Sequence, residues 1–107
     1  MAAARALALL ALLGLAACDP QEVADKAIRR AADSVVMPVV SRALPAGQAQ
    51  VATDCVLDAA SGADLQSLAR DLGVEAGTLT VQTIRSIAAR PEAVSCLARS
   101  GLGPLQV

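Results

Sequence analysis

QAQVATDCVLDAA, residues 48–60, carries the clearest helical pattern in this chain. Its apolar residues recur three or four positions apart, the spacing that places side chains on one face of an α-helix. The predicted inward face consists of Val51, Ala52, Cys55, Val56, Ala59 and Ala60. The predicted solvent face consists of Gln50, Thr53, Asp54, Asp58 and Ser61. The pattern predicts one amphipathic helix that begins after a helix breaker, Pro45-Ala46-Gly47.

Three more helices are predicted between residues 61 and 101, each with its own start signal. Ser61 and Asp64 match a capping box, Thr78 or Thr80 begins the next helix, and Pro91 suits the first position of the last. The predicted inward residues are Leu65, Leu68, Ala69, Leu72, Val81, Ile84, Ile87, Ala88, Val94, Cys96 and Leu97. The predicted helix ends are Gly73 and Gly101. Residues 102–107 are expected to form an extended, frayed tail.

The first helix is predicted to begin at Asp19 as the N-cap, with Pro20 next and Glu22 completing a capping box. Its predicted inward residues are Val23, Ala24, Ala27, Ile28, Ala31 and Val35. Charged residues predict two ion pairs four positions apart, Glu22–Lys26 and Asp25–Arg29.

Pro38 interrupts the β-branched stretch 35–40. Proline removes a main-chain hydrogen bond and disfavours helix at the residue before it, so a kink or a break is expected there. A further turn through Leu44 should follow, and a short strand is the alternative. Together the stretches predict an all-α fold, a small bundle of about five short helices with short connections.

Cys55 and Cys96 lie on predicted inward faces of different helices. A disulfide between them is the simplest prediction for an exported domain. Closing a loop of about 40 residues corresponds to roughly 4 kcal/mol in the chain-entropy treatment. Two free buried thiols or a redox pair are the alternatives, although a catalytic pair usually has the spacing Cys-x-x-Cys.

Composition narrows the functions that the chain can have. It has 107 residues, a net charge of −1, no Phe, Tyr or Trp, and no His. No basic patch is present for nucleic acid, and no aromatic ring is available for stacking on bases or sugars. Without histidine, the chain lacks the commonest general base and a principal zinc ligand. We therefore expect no nucleic-acid partner, no metal and no cofactor.

Candidate catalytic residues are few. Asp54 and Asp58 lie one helical turn apart, with Asp64 and Asp71 further on. Paired carboxylates act in general acid–base catalysis only where a pocket shifts their pKa values, and these residues fall on predicted solvent faces. The serines at 34, 61, 86 and 95 have no histidine to activate them. The sequence therefore predicts that the protein is not an enzyme, with no catalytic residue.

The N-terminal sequence is tripartite. A short segment with one positive charge, residues 1–5, precedes an apolar run, residues 6–13, and then small residues up to Cys18. The apolar stretch is shorter than the roughly 20 residues that span a bilayer. Leu15-Ala16-Ala17-Cys18 resembles the lipobox of bacterial lipoproteins. An ordinary cleaved signal peptide with an incidental Cys18, or a buried apolar helix, is the alternative.

The lipoprotein resemblance implies that residues 1–17 are removed as a signal peptide. Cys18 would then carry a diacylglycerol thioether, and residues 18–107 would form one small periplasmic domain held on a bacterial membrane. Asp19 follows the lipidated position, and in enteric members of this family aspartate there favours the inner membrane, with the outer membrane as the alternative.

These features predict a lipid-anchored cell-envelope protein, a non-catalytic interaction or accessory module of a membrane-associated complex. Its partners would be the membrane, through the N-terminal lipid anchor, and a protein that the sequence does not identify. Two alternatives stay open. One is a small periplasmic stress chaperone or holdase, and the other is a binder of a small apolar ligand between the helices.

Overall fold

The computed structural model describes residues 20–72 and 77–107 of the chain. Within those ranges it contains five α-helices and no strand, which confirms the predicted all-α bundle. The helices are α1, Pro20–Val40; α2, Ala46–Ala59; α3, Gly62–Ala69; α4, Thr78–Ala88; and α5, Pro91–Arg99. Residues 1–19, with the predicted sites Cys18 and Asp19, and the predicted helix end Gly73 lie outside the described residues.

α1 continues through Pro38, so of the kink or break expected there the break is wrong, as is the alternative of a strand. The helix ends at Val40, and the further turn follows as predicted, with the Leu44 N–H donating to the Val40 oxygen at 3.1 Å. The proline removes one main-chain hydrogen bond from the helix. Val36 and Val40 are fully buried on either side of it, and the apolar surface they remove from water offsets that loss.

α2 lies at the centre of the bundle, where it contacts α1, α4 and α5. It begins at Ala46 with Pro45 as its N-cap, so the predicted breaker forms the start of the helix. Thr53, expected on the solvent face, is fully buried and donates from its hydroxyl to the Met37 sulfur at 3.5 Å. Val51, expected inward, is exposed. Because α2 is covered by three helices, its buried sector is wider than one stripe and displaced from it.

The core consists of aliphatic side chains together with the Cys55 sulfur. Its members are Ala32, Val35, Val36, Val39, Val40, Ala49, Ala52, Cys55, Val56, Leu57, Leu68, Ile84, Ile87, Ala88 and Leu97. Leu72, expected inward, is exposed because α3 ends at Ala69 and does not carry its apolar face that far. Val94 is also exposed, since α5 buries Ala93 and Leu97 instead.

Cys55 of α2 and Cys96 of α5 form a disulfide, as the sequence predicts. Their Cα atoms are 5.5 Å apart, and the two residues are separated by 41 positions in the chain. The bond joins the central helix to the last one. It therefore constrains a loop that includes all of α3 and α4.

The chain after α5 is held by a glycine-dependent helix end. Gly101 has a positive φ of 76°, its N–H donates to the Ala98 oxygen, and the Leu102 N–H donates to the Leu97 oxygen at 2.8 Å. This pair of bonds is the Schellman motif. Residues 102–107 have no regular secondary structure, in agreement with the expected extended tail. Fraying was also expected, but the segment instead packs against the core. Leu102, Leu105 and Val107 are partly buried against the core.

Candidate interaction surface

The predicted lipidation position lies next to the start of α1. The helix begins at Pro20, two residues after Cys18 in the sequence. An extended chain covers at most about 3.6 Å per residue, so two residues span no more than about 7 Å. Among residues 20–72 and 77–107, no helix is long and apolar enough to cross a bilayer.

The first two turns of α1 are uncovered by the other residues that the structure describes. Every residue from Gln21 to Ala27 is exposed, and Val23 is 67% exposed. The expectation that Val23, Ala24 and Ala27 point inward is therefore wrong. Val35 is buried as predicted, and Ile28 and Ala31 are half-buried, whereas the fully buried residues of α1, which begin at Ala32, are displaced around the helix from the predicted face.

The charged side of α1 contacts α2. Arg29 Nη2 is 2.7 Å from Asp58 Oδ1, an ion pair between side chains that both remain partly exposed. Asp25 instead accepts a hydrogen bond from Gln21 Nε2 at 3.1 Å. The predicted ion pair Asp25–Arg29 is therefore wrong, because Arg29 pairs with Asp58 of α2 instead. The predicted pair Glu22–Lys26 is not among the ion pairs of the described residues either.

An open groove lies between α1 and α3, directly beyond the first turns of α1. It has a volume of about 370 Å³. Its apolar lining is Ile28 and Leu65, and the rest of its wall is charged or polar or is the backbone of Gly62. The lining residues are Asp25, Lys26, Ile28, Arg29, Gly62, Leu65 and Gln66.

Asp64 and Arg90 form the second ion pair, with Arg90 Nη1 2.7 Å from Asp64 Oδ2. The same carboxylate oxygen accepts from the main-chain N–H and the hydroxyl of Ser61, each at 2.8 Å, while Asp64 N donates to Ser61 Oγ at 3.1 Å. The predicted capping box is therefore formed. Arg90 Nη1 also donates to the Ala59 oxygen at 3.0 Å, which ties the end of α2 to the α4–α5 junction.

The hydrogen bond from Arg90, followed by the one from the Ser61 main chain, lowers the pKa of Asp64 from 3.8 to about 2. Asp64 in turn raises the pKa of Arg90. A carboxylate with so low a pKa is a poor proton acceptor near neutral pH. This arrangement suits a structural connection between helices. The sequence did not single out Arg90, because its partner is 26 residues away and no local pattern connects the two.

A second open groove lies beside this ion pair and has a volume of about 480 Å³. One of its lining residues is Leu79, which at 79% is the most exposed of the large apolar residues in ranges 20–72 and 77–107. Leu79 is in the first turn of α4, and Leu72, also exposed, is in the turn after α3. The lining residues are Asp64, Ser67, Leu79, Gln82, Thr83, Ser86, Ile87 and Arg90.

The candidate carboxylates do not converge on one site. Asp54 accepts from Gln50 Nε2 at 3.1 Å, Asp58 pairs with Arg29, and Asp71 accepts from the Thr80 hydroxyl. Each thus has a different partner on a different part of the surface. Among the described residues, no three His, Cys, Asp or Glu side chains come together where they would hold a metal ion.

The chain matches no known protein family, no curated protein and no solved structure. The features that bear on its function are therefore those of its own residues. They supply a predicted acylation position, a disulfide-linked helical body and apolar side chains on its surface.

Proposed function

We propose that this chain is a lipid-anchored cell-envelope protein that serves as a non-catalytic interaction module of a membrane-associated complex. The observation that carries the proposal is the sequence Leu15-Ala16-Ala17-Cys18, preceded by a short basic segment and an apolar run. Acylation of Cys18 would hold residues 18–107 on the periplasmic side of a bacterial membrane, with Asp19 favouring the inner one. Two or three acyl chains would make that attachment lasting.

The Cys55–Cys96 disulfide supports an exported location. Disulfides form and persist in oxidising compartments such as the bacterial periplasm and are rare in reducing cytosol. A helical domain with this disulfide between α2 and α5 is therefore consistent with a location in the periplasm.

The uncovered apolar side chains support an interaction role. Leu79, Val23 and Leu72 are more than half exposed, and each lies on a different part of the chain. Exposed apolar residues of this size are also what a holdase would use to bind unfolded clients, which keeps an envelope chaperone as the second candidate.

Fractionation tests the anchor. The full chain, tagged at its C-terminus, is produced at native level in a Gram-negative host beside Cys18→Ser. We expect the unaltered chain in the membrane fraction, resistant to high salt and released by detergent. The variant should leave that fraction or stay uncleaved. Equal membrane retention of two correctly cleaved proteins would contradict lipid anchoring.

Co-purification tests the interaction role. Membranes are solubilised in mild detergent, and the tagged chain is recovered beside Leu79→Glu and, as a matched control, Val51→Glu, which alters an exposed apolar residue on another helix. A stoichiometric envelope protein that is lost with Leu79→Glu and kept with Val51→Glu supports the module and places its contact surface at Leu79. Recovery of a lone acylated chain contradicts it. Suppression of client aggregation by that lone chain would then favour the holdase.

A further inference from the structure

One side of α1 carries no charge along its whole length. At about 100° per residue, the sector of the helix between Arg30 and the buried Val35 contains only apolar, small or uncharged residues. We call this side the outer face of α1; it consists of Val23, Ala24, Ala27, Ala31, Ser34 and Pro38. All of them are exposed except Ala31, which is half-buried. In the described residues, the outer face is left uncovered by α2 to α5.

The charges on α1 are arranged unevenly around the outer face. On the helical wheel the nearest charged residues are Arg30 and then Lys26, both cationic. Asp25 and Lys26 both line the groove with α3, but on the wheel Lys26 lies nearer to the outer face than Asp25 does. Glu22 and Asp33 are also farther from the outer face than the two cations are. A surface of lipid phosphates would therefore meet Arg30 and Lys26 before it met a carboxylate.

The position of Cys18 decides what lies against this face. Only Asp19 separates Cys18 from Pro20, so the start of α1 is within about 7 Å of the anchored residue. An acyl chain inserted in a bilayer would hold the helix start at the headgroups, without the linker that would let the body move away. We propose that the outer face of α1 lies along the bilayer surface. This inference rests on the proposed acylation of Cys18.

The outer face by itself is a weak membrane ligand. It offers one valine, three alanines and a proline, and little free energy comes from burying alanine. Attachment through Cys18 would keep the outer face close to the bilayer, so a small intrinsic affinity would be enough for this second contact. The face acts after anchoring, and it fixes the direction in which the body points. With α1 on the lipid, α2, α4 and α5 are presented away from it.

Site-directed fluorescence tests the orientation on the acylated full chain. The native cysteines are acylated or in the disulfide, so a single added cysteine takes the label. Ser34→Cys reports on the outer face, and Ser95→Cys, exposed on α5, is the matched control. The proteins are reconstituted into vesicles of phosphatidylethanolamine and phosphatidylglycerol, with a nitroxide on some headgroups. We expect strong quenching of the label at Ser34 and little at Ser95.

The position of Ser34 separates two orientations. It lies 14 residues after Pro20, about 21 Å along the helix axis. A helix that stands upright on its anchor would lift Ser34 away from the headgroup quencher, whereas a helix that lies flat keeps it there. An unquenched Ser34 label on an acylated chain would overturn the inference alone, whether the helix is upright or the face is covered by protein. A chain that proves unacylated would overturn the proposed function and the inference together.

A charge placed on the outer face gives a second test. Ala27→Glu, combined with the Ser34 label, puts a carboxylate at an exposed position where no core contact is lost. We expect loss of the Ser34 quenching while the chain stays membrane-bound through its anchor. Ser67→Glu, at an exposed position on α3, is the control and should leave quenching unchanged. Unchanged quenching in Ala27→Glu would contradict the proposed contact.

Discussion

Removing the Cys55–Cys96 disulfide should destabilise this protein severely. The bond closes a loop across 41 positions, and the chain-entropy relation gives a loss of about 4 kcal/mol for a loop of that length. A domain of this size has a total stability of roughly 5–10 kcal/mol, so the bond accounts for a large part of it. Replacing both cysteines by alanine adds a small packing loss, because Cys55 is buried.

Thermal unfolding followed by circular dichroism measures the effect. For a domain of about 90 residues, 1 kcal/mol corresponds to a Tm change of about 4–8 °C, so the doubly substituted Cys55→Ala/Cys96→Ala protein should melt about 16–32 °C below the oxidised one. Reductant should lower the Tm of the unaltered protein similarly and leave the double variant unchanged. A Tm loss below about 5 °C on reduction would refute the reasoning, since the loop would then be held by the packing of the helices alone.

Three further predictions concern the body of the protein. Leu57→Ala should cost about 2–5 kcal/mol in urea unfolding because Leu57 is buried, whereas Leu79→Ala should stay within about 0.5 kcal/mol. Gly101→Ala should cost about 1 kcal/mol because of the positive φ, and equal Tm values for it and the control Gly103→Ala would contradict that reason. The folded-state pKa of Asp64 is lowered to about 2, so its contribution to the free energy of unfolding is fully present above the unfolded pKa of 3.8 and is lost as the pH falls through 2. In Asp64→Asn the free energy of unfolding should therefore depend less on pH between about 4 and 2 than in the unaltered protein.

Local signals in the sequence predicted the helices well. The capping box of Ser61 and Asp64, Pro91 at a helix start and Gly101 at a helix end act through groups a few residues away, so the sequence alone displays them. The Cys55–Cys96 pairing was predictable because both cysteines lie on apolar stretches of helices and no other pair remained after Cys18 was set aside.

The burial of individual residues and the contacts between helices could not be predicted from the sequence pattern, for a physical reason. Periodicity shows which residues share a helix face, but burial depends on which helices lie alongside. Thr53 is buried because α2 is covered by three neighbours, and Val23 is exposed because none of the helices α2 to α5 covers the first turns of α1. The Arg90–Asp64 ion pair likewise depends on the placement of α3 against the α4–α5 junction.

The candidate surface could be predicted only in part. The sequence located Cys18 and the apolar residues Val23 and Ala27, and it assigned both apolar residues to the core. The structure leaves them on the surface of α1, next to the position where the chain would meet the membrane. Residues that the sequence assigned to the core are therefore exposed, and they belong to the surface for which we propose a membrane contact.

Intact mass spectrometry of the protein extracted from native membranes tests the central claim, lipid anchoring at Cys18, most directly. The proposed function predicts a chain that begins at Cys18, carries the added mass of diacylglycerol with or without an amide-linked acyl group, and is two hydrogens lighter for the Cys55–Cys96 bond. A chain that retains residues 1–17, or one that begins elsewhere and carries no acyl mass, would contradict it.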